Sequence, residues 1–338
     1  MLKIGLLGAG HLGKIHLKCI RLAKDHYDLV GFYDADPATA RRVADEFQLK
    51  AFPSPEALVA ACEVVDVVTP TPTHHAMVKL ALEGGCHVFV EKPLTETLEE
   101  AKELIELSRK TGKLVQVGHV ERFNPALLSL GDVQLKPYFI EAHRLAQFNP
   151  RGVDVSVVLD LMIHDLDIIL KLAGDEVADV RANGVAILSD TPDIVNARIE
   201  FKGGAVANLT ASRISLKNMR KVRLFQPDAY ISLDLLEKKS EVVRLFQPED
   251  QLPEGGQQFP LTTPKGPRVI HVDQPDAGPI NAIQRELESL ADSITAGKPA
   301  AVSIEDGYRA LALAHRISAA VDQNQRNLPD PQLPDAAV

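Results

Sequence analysis

The sequence predicts an α/β protein in two parts. Residues 1–120 read as a doubly wound parallel sheet, residues 121–323 as an α+β domain with an open, mainly antiparallel sheet, and residues 324–338 as an extended tail. Three observations predict this. Apolar, unalternating runs separated by helical stretches fill the first third, as parallel strands covered on both faces do. A glycine cluster, "GAGHLG", lies between the first strand and the first helix. Beyond residue 120 the segments lengthen and alternate apolar with polar residues, the pattern of antiparallel strands.

In order, "KIGLLGAG" is a strand entering a turn and residues 12–24 a helix, and "LVGFYDA" is a second strand. "DPATARRVADEF" is a helix with Asp36 as N-cap and Pro37 at its first position. Then come the strand "VVDVVTPTP", a helix near 74–84, the strand "HVFVEKP", a helix near 95–111 and the strand "KLVQVGHV". In the second part "DVRANGVAIL", "VNARIEF", "AVANLTASRI" and "VRLFQPDAYISLDL" read as strands. Residues 247–279, rich in Pro, Gly and Gln, read as a long surface loop with short edge strands. Helices near 280–296 and 304–322 close the domain.

The bulk numbers exclude several classes. Hydrophobic content is 45% and charged content 25%, which fits a chain that buries a core. A net charge of −9, from 46 acidic and 37 basic side chains, argues against a nucleic-acid binder, whose affinity comes from neutralising phosphates. Cys19, Cys62 and Cys86 form no CxxC pair, so neither a disulfide framework nor a cysteine metal site is expected, and a reducing cytosol fits best. A strand begins at once in "MLKIGLLGAG", leaving no room for a signal peptide, and no apolar run is long enough to cross a membrane.

Gly8, Gly10 and Gly13 form G-x-G-x-x-G, with His11 and Leu12 opening the helix between them. In a strand–turn–helix context each glycine has a task. Gly8 makes the tight turn, Gly10 lets a pyrophosphate approach the backbone, and Gly13 lets helix pack on strand, which is the dinucleotide-binding arrangement of a Rossmann domain. Asp34 ends the second strand, where such folds place a ribose-binding acid. A carboxylate there repels a 2′-phosphate, and its neighbours Ala35 and Asp36 supply no cation, so the expected cofactor is NAD.

One helix is unusual. On a wheel of about 100° per residue, "VLDLMIHDLDIIL" (158–170) puts Asp160, His164 and Asp167 on one narrow stripe that runs on to Lys171. Leucines and isoleucines flank that stripe on both sides, and Asp165 interrupts the far apolar side. A helix apolar nearly all round is buried, so its polar seam should line something internal. His119, Arg122 and Asn124, in "GHVERFNP", fall where the C-terminal edge of the first sheet meets the second domain, the expected ligand crevice.

Together with the glycine motif, "VVTPTPTHHAMVKLALEGGCHVFVEKP" resembles the glucose–fructose oxidoreductase / inositol dehydrogenase / rhizopine catabolism (Gfo/Idh/MocA) family of NAD(P)-dependent sugar oxidoreductases, over nearly the whole chain. The most specific element is Glu91-Lys92-Pro93 at a strand end. The resemblance implies that Lys92 reaches between nicotinamide and substrate, that the Lys92–Pro93 bond is cis, and that Thr69, Pro70, His74 and Glu91 line the cofactor. Many members carry Asn where Thr71 stands, so no contact is carried over there. It also implies that the Asp-x-x-x-His pair, Asp160 and His164, faces the nicotinamide. An alcohol carbon losing hydride must lose its hydroxyl proton too, and His164 and Lys92 are the candidates to take it, with Asp160 orienting the imidazole or binding a hydroxyl. Asp167 reads as structural.

The wording of the helix and of "GHVERFNP" looks most like the branch acting on nucleotide-linked N-acetylamino sugars, with C3 of UDP-N-acetylglucosamine the expected carbon. "SRISLKNMRKVR" brings Arg213, Lys217, Arg220, Lys221 and Arg223 together, and such a cluster, Arg213 first, suits a diphosphate. The alternatives are a dehydrogenase of free sugars or inositols, which needs no such cluster, and a non-catalytic NAD sensor, which would need none of Lys92, Asp160 and His164. The expected partners are a small-molecule sugar or nucleotide sugar and further copies of the chain, as homodimer or homotetramer, since family members usually cover the open sheet in this way. No metal, nucleic acid or membrane partner is expected.

Overall fold

The computed structural model describes residues 1–131, 133–149 and 155–325. The first sheet holds β1 (Leu2–Leu7), β2 (Tyr27–Tyr33), β3 (Val64–Val67), β4 (His87–Glu91) and β5 (Val115–Gly118), all parallel, in the order β2-β1-β3-β4-β5. The strand order reverses between β2 and β3, which flank β1, so the crevice at the strands' C-terminal ends is a switch point where α/β folds bind ligands. Helices α1 (His11–Leu22), α2 (Pro37–Phe47), the short α3 (Pro55–Val59), α4 (His74–Glu83) and α5 (Leu98–Thr111) cover both faces. Their ends follow local chemistry. Asp36 accepts from the backbone of Ala38 and Thr39 at the start of α2, and Thr97 and Glu100 form a capping box on α5.

The second domain begins with α6 (Pro125–Leu128) and β6 (Phe139–Leu145). A π-helical turn (Val158–Met162) then runs into α7 (Ile163–Ala173). Strands β7 (Val177–Val185), β8 (Ile194–Phe201), β9 (Val206–Ser212), β10 (Met219–Gln226), β11 (Ala229–Asp234), β12 (Lys239–Phe246), β13 (Gln257–Thr263) and β14 (Gly266–Asp273) follow. With β6 they form a nine-stranded sheet, β13-β14-β12-β11-β10-β6-β9-β8-β7, in which only β6 and β9 pair parallel. One face buries Ile140, Ala142, Val222, Leu224 and Ile231 in a core shared with α7.

Four expectations change. The central strand β6 was not anticipated. Residues 247–279 hold a full hairpin, β13 and β14, rather than a loop with short strands. "VRLFQPDAYISLDL" folds back on itself around Pro227 and Asp228 as β10 and β11. Nor does the chain divide once near residue 120. Helix α8 (Ala282–Ala296) returns to the first domain and buries Leu287, Leu290 and Ala291 against α1 and the first sheet. Helix α9 (Ile304–Gln325) places Ile304 and Leu311 in the first domain's core and Ala314, Ile317 and Val321 in the second's. The tail foreseen from residue 324 is still helix at 324 and 325, and residues 326–338 lie outside the described residues.

Candidate active site

Each strand of the first sheet ends in a segment that faces the crevice. After β1, Gly8 adopts φ +91°, and a Cβ there would sit 2.7 Å from the Val68 carbonyl. A Cβ on Gly13 would sit 2.0 Å from the Gly8 carbonyl, so α1 approaches as closely as only glycine permits. Gly10 faces open space, and His11 and Leu12 stand exposed on the first turn of α1, which carries no acidic residue and no side-chain cap. The cradle therefore fits a pyrophosphate on a helix N-terminus. After β2, Asp34 accepts from the backbone N–H of Ala9 at 2.7 Å and of Asp36 at 2.9 Å, which ties the ribose-side acid to the glycine turn. Thr69 and Pro70 follow β3, and Thr69 Oγ1 accepts from Thr73 Oγ1 at 2.8 Å.

His74 opens α4. It is buried, and its ring nitrogens bridge the carbonyls of Thr69 (2.8 Å) and Pro93 (2.9 Å), so it staples the β3 loop to the β4 loop. Glu91 ends β4. Its Oε1 lies 3.1 Å from His16 Nε2 and its Oε2 accepts from the backbone N–H of Lys92. His16 is fully buried and meets Asp66 through Nδ1 at 3.0 Å. Burial opposes a charged imidazole, but Asp66 and Glu91 outweigh it and hold the pKa of His16 well above the ordinary value. Gly118 leaves room for this carboxylate, since a Cβ there would lie 3.0 Å from Glu91 Oε1.

Lys92 follows, across a cis Lys92–Pro93 bond. Its Nζ donates to the Asp160 carbonyl at 2.8 Å and lies 3.6 Å from Asp160 Oδ1, so the two domains meet at this pair. Burial pulls the lysine's pKa below the ordinary value, against the opposing pull of Asp160 and Glu91. On an ideal helix Asp160 would stack over His164. The π turn adds one residue to the winding, with Ile163 N–H donating to the Val158 carbonyl, and no hydrogen bond joins Asp160 to His164 among the described residues. Asp160 therefore serves Lys92 and does not orient the imidazole.

His164 is held in the uncharged form. Burial, then the charges of Lys92, Arg144, His119 and Arg220, push its pKa well below the ordinary value. Its Nδ1 and both nitrogens of His119 are buried without a partner among the described residues. This is hydrogen-bonding capacity left unused at the crevice beside Lys92.

The remaining expected residues stand behind the site. Arg122 makes a bidentate pair with the buried Asp167, at 2.6 and 2.7 Å. Asn124 is spent on Glu121, the Leu235 carbonyl and the Ala126 N–H. Arg213 is buried and donates to Asp193, Ser189, Thr191 and the Val155 carbonyl, so it cannot also hold a diphosphate. Asp165, which interrupted the apolar side of the helix, takes two bonds from Arg144, at 2.8 and 3.0 Å, and Arg144 also donates to Glu121 at 2.9 Å. Sequence reasoning missed this cluster. The available signal was an aspartate on an apolar face, which demands a buried cation.

Residues 2–119 match the model "Oxidoreductase family, NAD-binding Rossmann fold", and residues 133–227 match the GFO/IDH/MocA C-terminal domain. A UDP-N-acetylglucosamine 3-dehydrogenase of Acidithiobacillus ferrooxidans is 35% identical over 95% of this chain and 97% of its own. A crystal structure of that enzyme superposes with a TM-score of 0.85 at 34% identity, covering 95% of this chain and 98% of that one. A scyllo-inositol 2-dehydrogenase (NAD(+)) of Bacillus subtilis is 32% identical over 63% of this chain and 68% of its own.

Proposed function

From the premise that this chain belongs to the GFO/IDH/MocA family of NAD-binding oxidoreductases, we propose that it oxidises a sugar hydroxyl to a ketone, at C3 of UDP-N-acetylglucosamine. The reading rests on one observation above the rest. The cleft sets a neutral imidazole with unspent hydrogen-bonding capacity beside a lysine that bridges the two domains.

In this reading the glycine turn holds the pyrophosphate, Asp34 the ribose, and Thr69 and Pro70 the wall of the cofactor site. NAD held by these residues would supply the hydride acceptor for the sugar carbon. His164 takes the hydroxyl proton. Lys92, kept in place by Asp160 and by the backbone beside Glu91, donates a hydrogen bond to the oxygen as it gains negative charge. His119 offers its ring nitrogens to the sugar.

A relative similar along almost its full length supports the nucleotide-sugar substrate. The inositol relative, matched over a shorter stretch, supports the second reading, a free-inositol dehydrogenase. A screen of NAD⁺ reduction separates them. Turnover of UDP-N-acetylglucosamine far above that of free hexoses and inositols is expected, and the reverse order would overturn the assignment.

The protein is further proposed to act as a homodimer or homotetramer in a reducing cytosol. Phe139, Phe225 and Tyr230 stack on the outer sheet face, with ring centroids 5.6 and 5.1 Å apart, and a second copy would cover them. The three cysteines are free thiols, and no described helix is long and apolar enough to cross a membrane. Sedimentation analysis tests the assembly, and a monomer at micromolar concentration would refute it.

A further inference from the structure

We propose that Arg220 grips the diphosphate of a nucleotide-linked substrate and so separates it from a free sugar. This rests on reading the cleft as a sugar dehydrogenase, and it names one residue for a part of the substrate the catalytic groups do not touch.

The basic run between Arg213 and Arg223 does not act as a cluster. Arg213 is spent internally. Lys221 lies 3.3 Å from Asp234 and Arg223 lies 2.9 Å from Glu141, both turned to the outer face of the sheet. Lys217 is exposed in the turn between β9 and β10. Arg220 differs. The pleat puts it on the same face as Val222 and Leu224, which are fully buried in the inner core. The antiparallel register sets it directly opposite Arg144 on β6, and Arg144 holds Asp165, the residue after His164. Arg220 thus stands on the wall of the catalytic cleft, and its charge is among those that depress the basicity of His164.

Neutralisation there is incomplete. Arg144 has two carboxylates, Asp165 and Glu121. Arg220 reaches only Glu121 Oε1, at 3.6 Å, and that oxygen already accepts from Arg144 at 2.9 Å. The Arg220 side chain is 49% exposed and makes no hydrogen bond among the described residues. Like charges directly opposite each other destabilise a strand pair, which offsets the pull of Arg220 on Glu121 and Asp165 and leaves the fold little gain from this arginine. A diphosphate would gain more. It brings negative charge and paired oxygens that match a guanidinium, whereas a free hexose or inositol brings neither.

The test uses UDP as probe against the intact enzyme with NADH bound, by titration calorimetry, with UDP-N-acetylglucosamine kinetics beside it. Arg220→Gln should weaken UDP about 10- to 100-fold, the range for losing a hydrogen bond to a charged group. Arg220→Lys should weaken it less, and Arg223→Gln, on the opposite face, should leave it unchanged. KM for UDP-N-acetylglucosamine should rise more than kcat falls, while the Tm of Arg220→Gln equals or exceeds that of the wild type. Equal UDP affinity in Arg220→Gln and wild type overturns the proposal, as does a wild type that binds no UDP. A loss of affinity that merely follows a fall in Tm also overturns it. If UDP binding needs Arg220 but UDP-N-acetylglucosamine is not oxidised, the substrate reading fails and the Arg220 site stands. If the sugar is oxidised with KM unchanged in Arg220→Gln, the reading stands and the Arg220 site fails.

Discussion

We propose that His164 and Lys92 divide the proton work, because their surroundings differ. His164 is buried among cations and has no carboxylate partner among the described residues, which disfavours its charged form, while Lys92 keeps Asp160 within 3.6 Å. His164→Ala should therefore lower kcat by roughly 10²–10⁴ and leave NADH affinity nearly intact. With no Trp in the chain, NADH fluorescence reads that affinity against little indole background. The pH profile of kcat/KM should lose activity on the acid side only below 6.5, where the depressed imidazole protonates, and on the alkaline side below 10.5, where Lys92 discharges. An acid limb centred above the ordinary histidine value would contradict the role of His164. The other preference is proposed to follow from Asp34. NADH should bind more tightly than NADPH, and Asp34→Ser with Ala35→Arg should narrow the gap. These residues were legible in the sequence because short spacings carry them: a glycine triplet, a strand-ending acid, a charged pair before proline. His16 was not. It reads as one more residue on α1, and only the fold brings Asp66 and Glu91 to its two nitrogens.

Among the elements, α7 carries the proposed catalytic face and is pinned by two buried ion pairs, Asp165 with Arg144 and Asp167 with Arg122. Removing one partner of a buried pair costs about 3–5 kcal/mol, because the other charge is left unpaired. Asp165→Asn should lose stability on that scale in urea unfolding. The triple change Asp165→Leu, Arg144→Met and Glu121→Gln, which leaves none of these buried charges unpaired, should lose much less, and a triple variant as unstable as the single would refute this. The seam on this helix was foreseen from spacing, but its winding was not. A wheel at 100° assumes regular hydrogen bonding, and the π turn at Val158–Met162 departs from it where Asp160 meets Lys92. Strand β6 was missed for a related reason. "FIEAHRL" places Arg144 at an inward position where a strand pattern calls for an apolar residue, and the two acids that neutralise it come from other elements.

Across the whole molecule, α8 closes over the first domain and sets the fully buried Glu286 beside His16, Asp66 and Glu91. Burial, then the charge of Glu91, raises the pKa of Glu286 well above 4.5. The folded state thus holds protons on Glu286 and His16 that the unfolded chain releases, and stability falls as pH rises, from 4.5 upward for Glu286 and from 6.5 upward for His16. His164 and His119 act oppositely. Their folded values lie below 6.5, so stability falls as pH drops beneath that value. Glu286→Gln should match the wild type near pH 5 and exceed its stability in alkali. Denaturation midpoints across pH check this, and a variant less stable than wild type at pH 9 would refute it. The sequence placed the two domains by their rhythm. It could not place α8 and α9, because an amphipathic helix shows which face is buried and not which core receives it. Hydride is proposed to leave C3 of UDP-N-acetylglucosamine for NAD⁺ in this cleft. Mass analysis of the cofactor after turnover of that substrate deuterated at C3 tests this. Reduced cofactor heavier by one deuterium, formed at a slowed rate, is expected. Unlabelled NADH with deuterium retained in the sugar would contradict it.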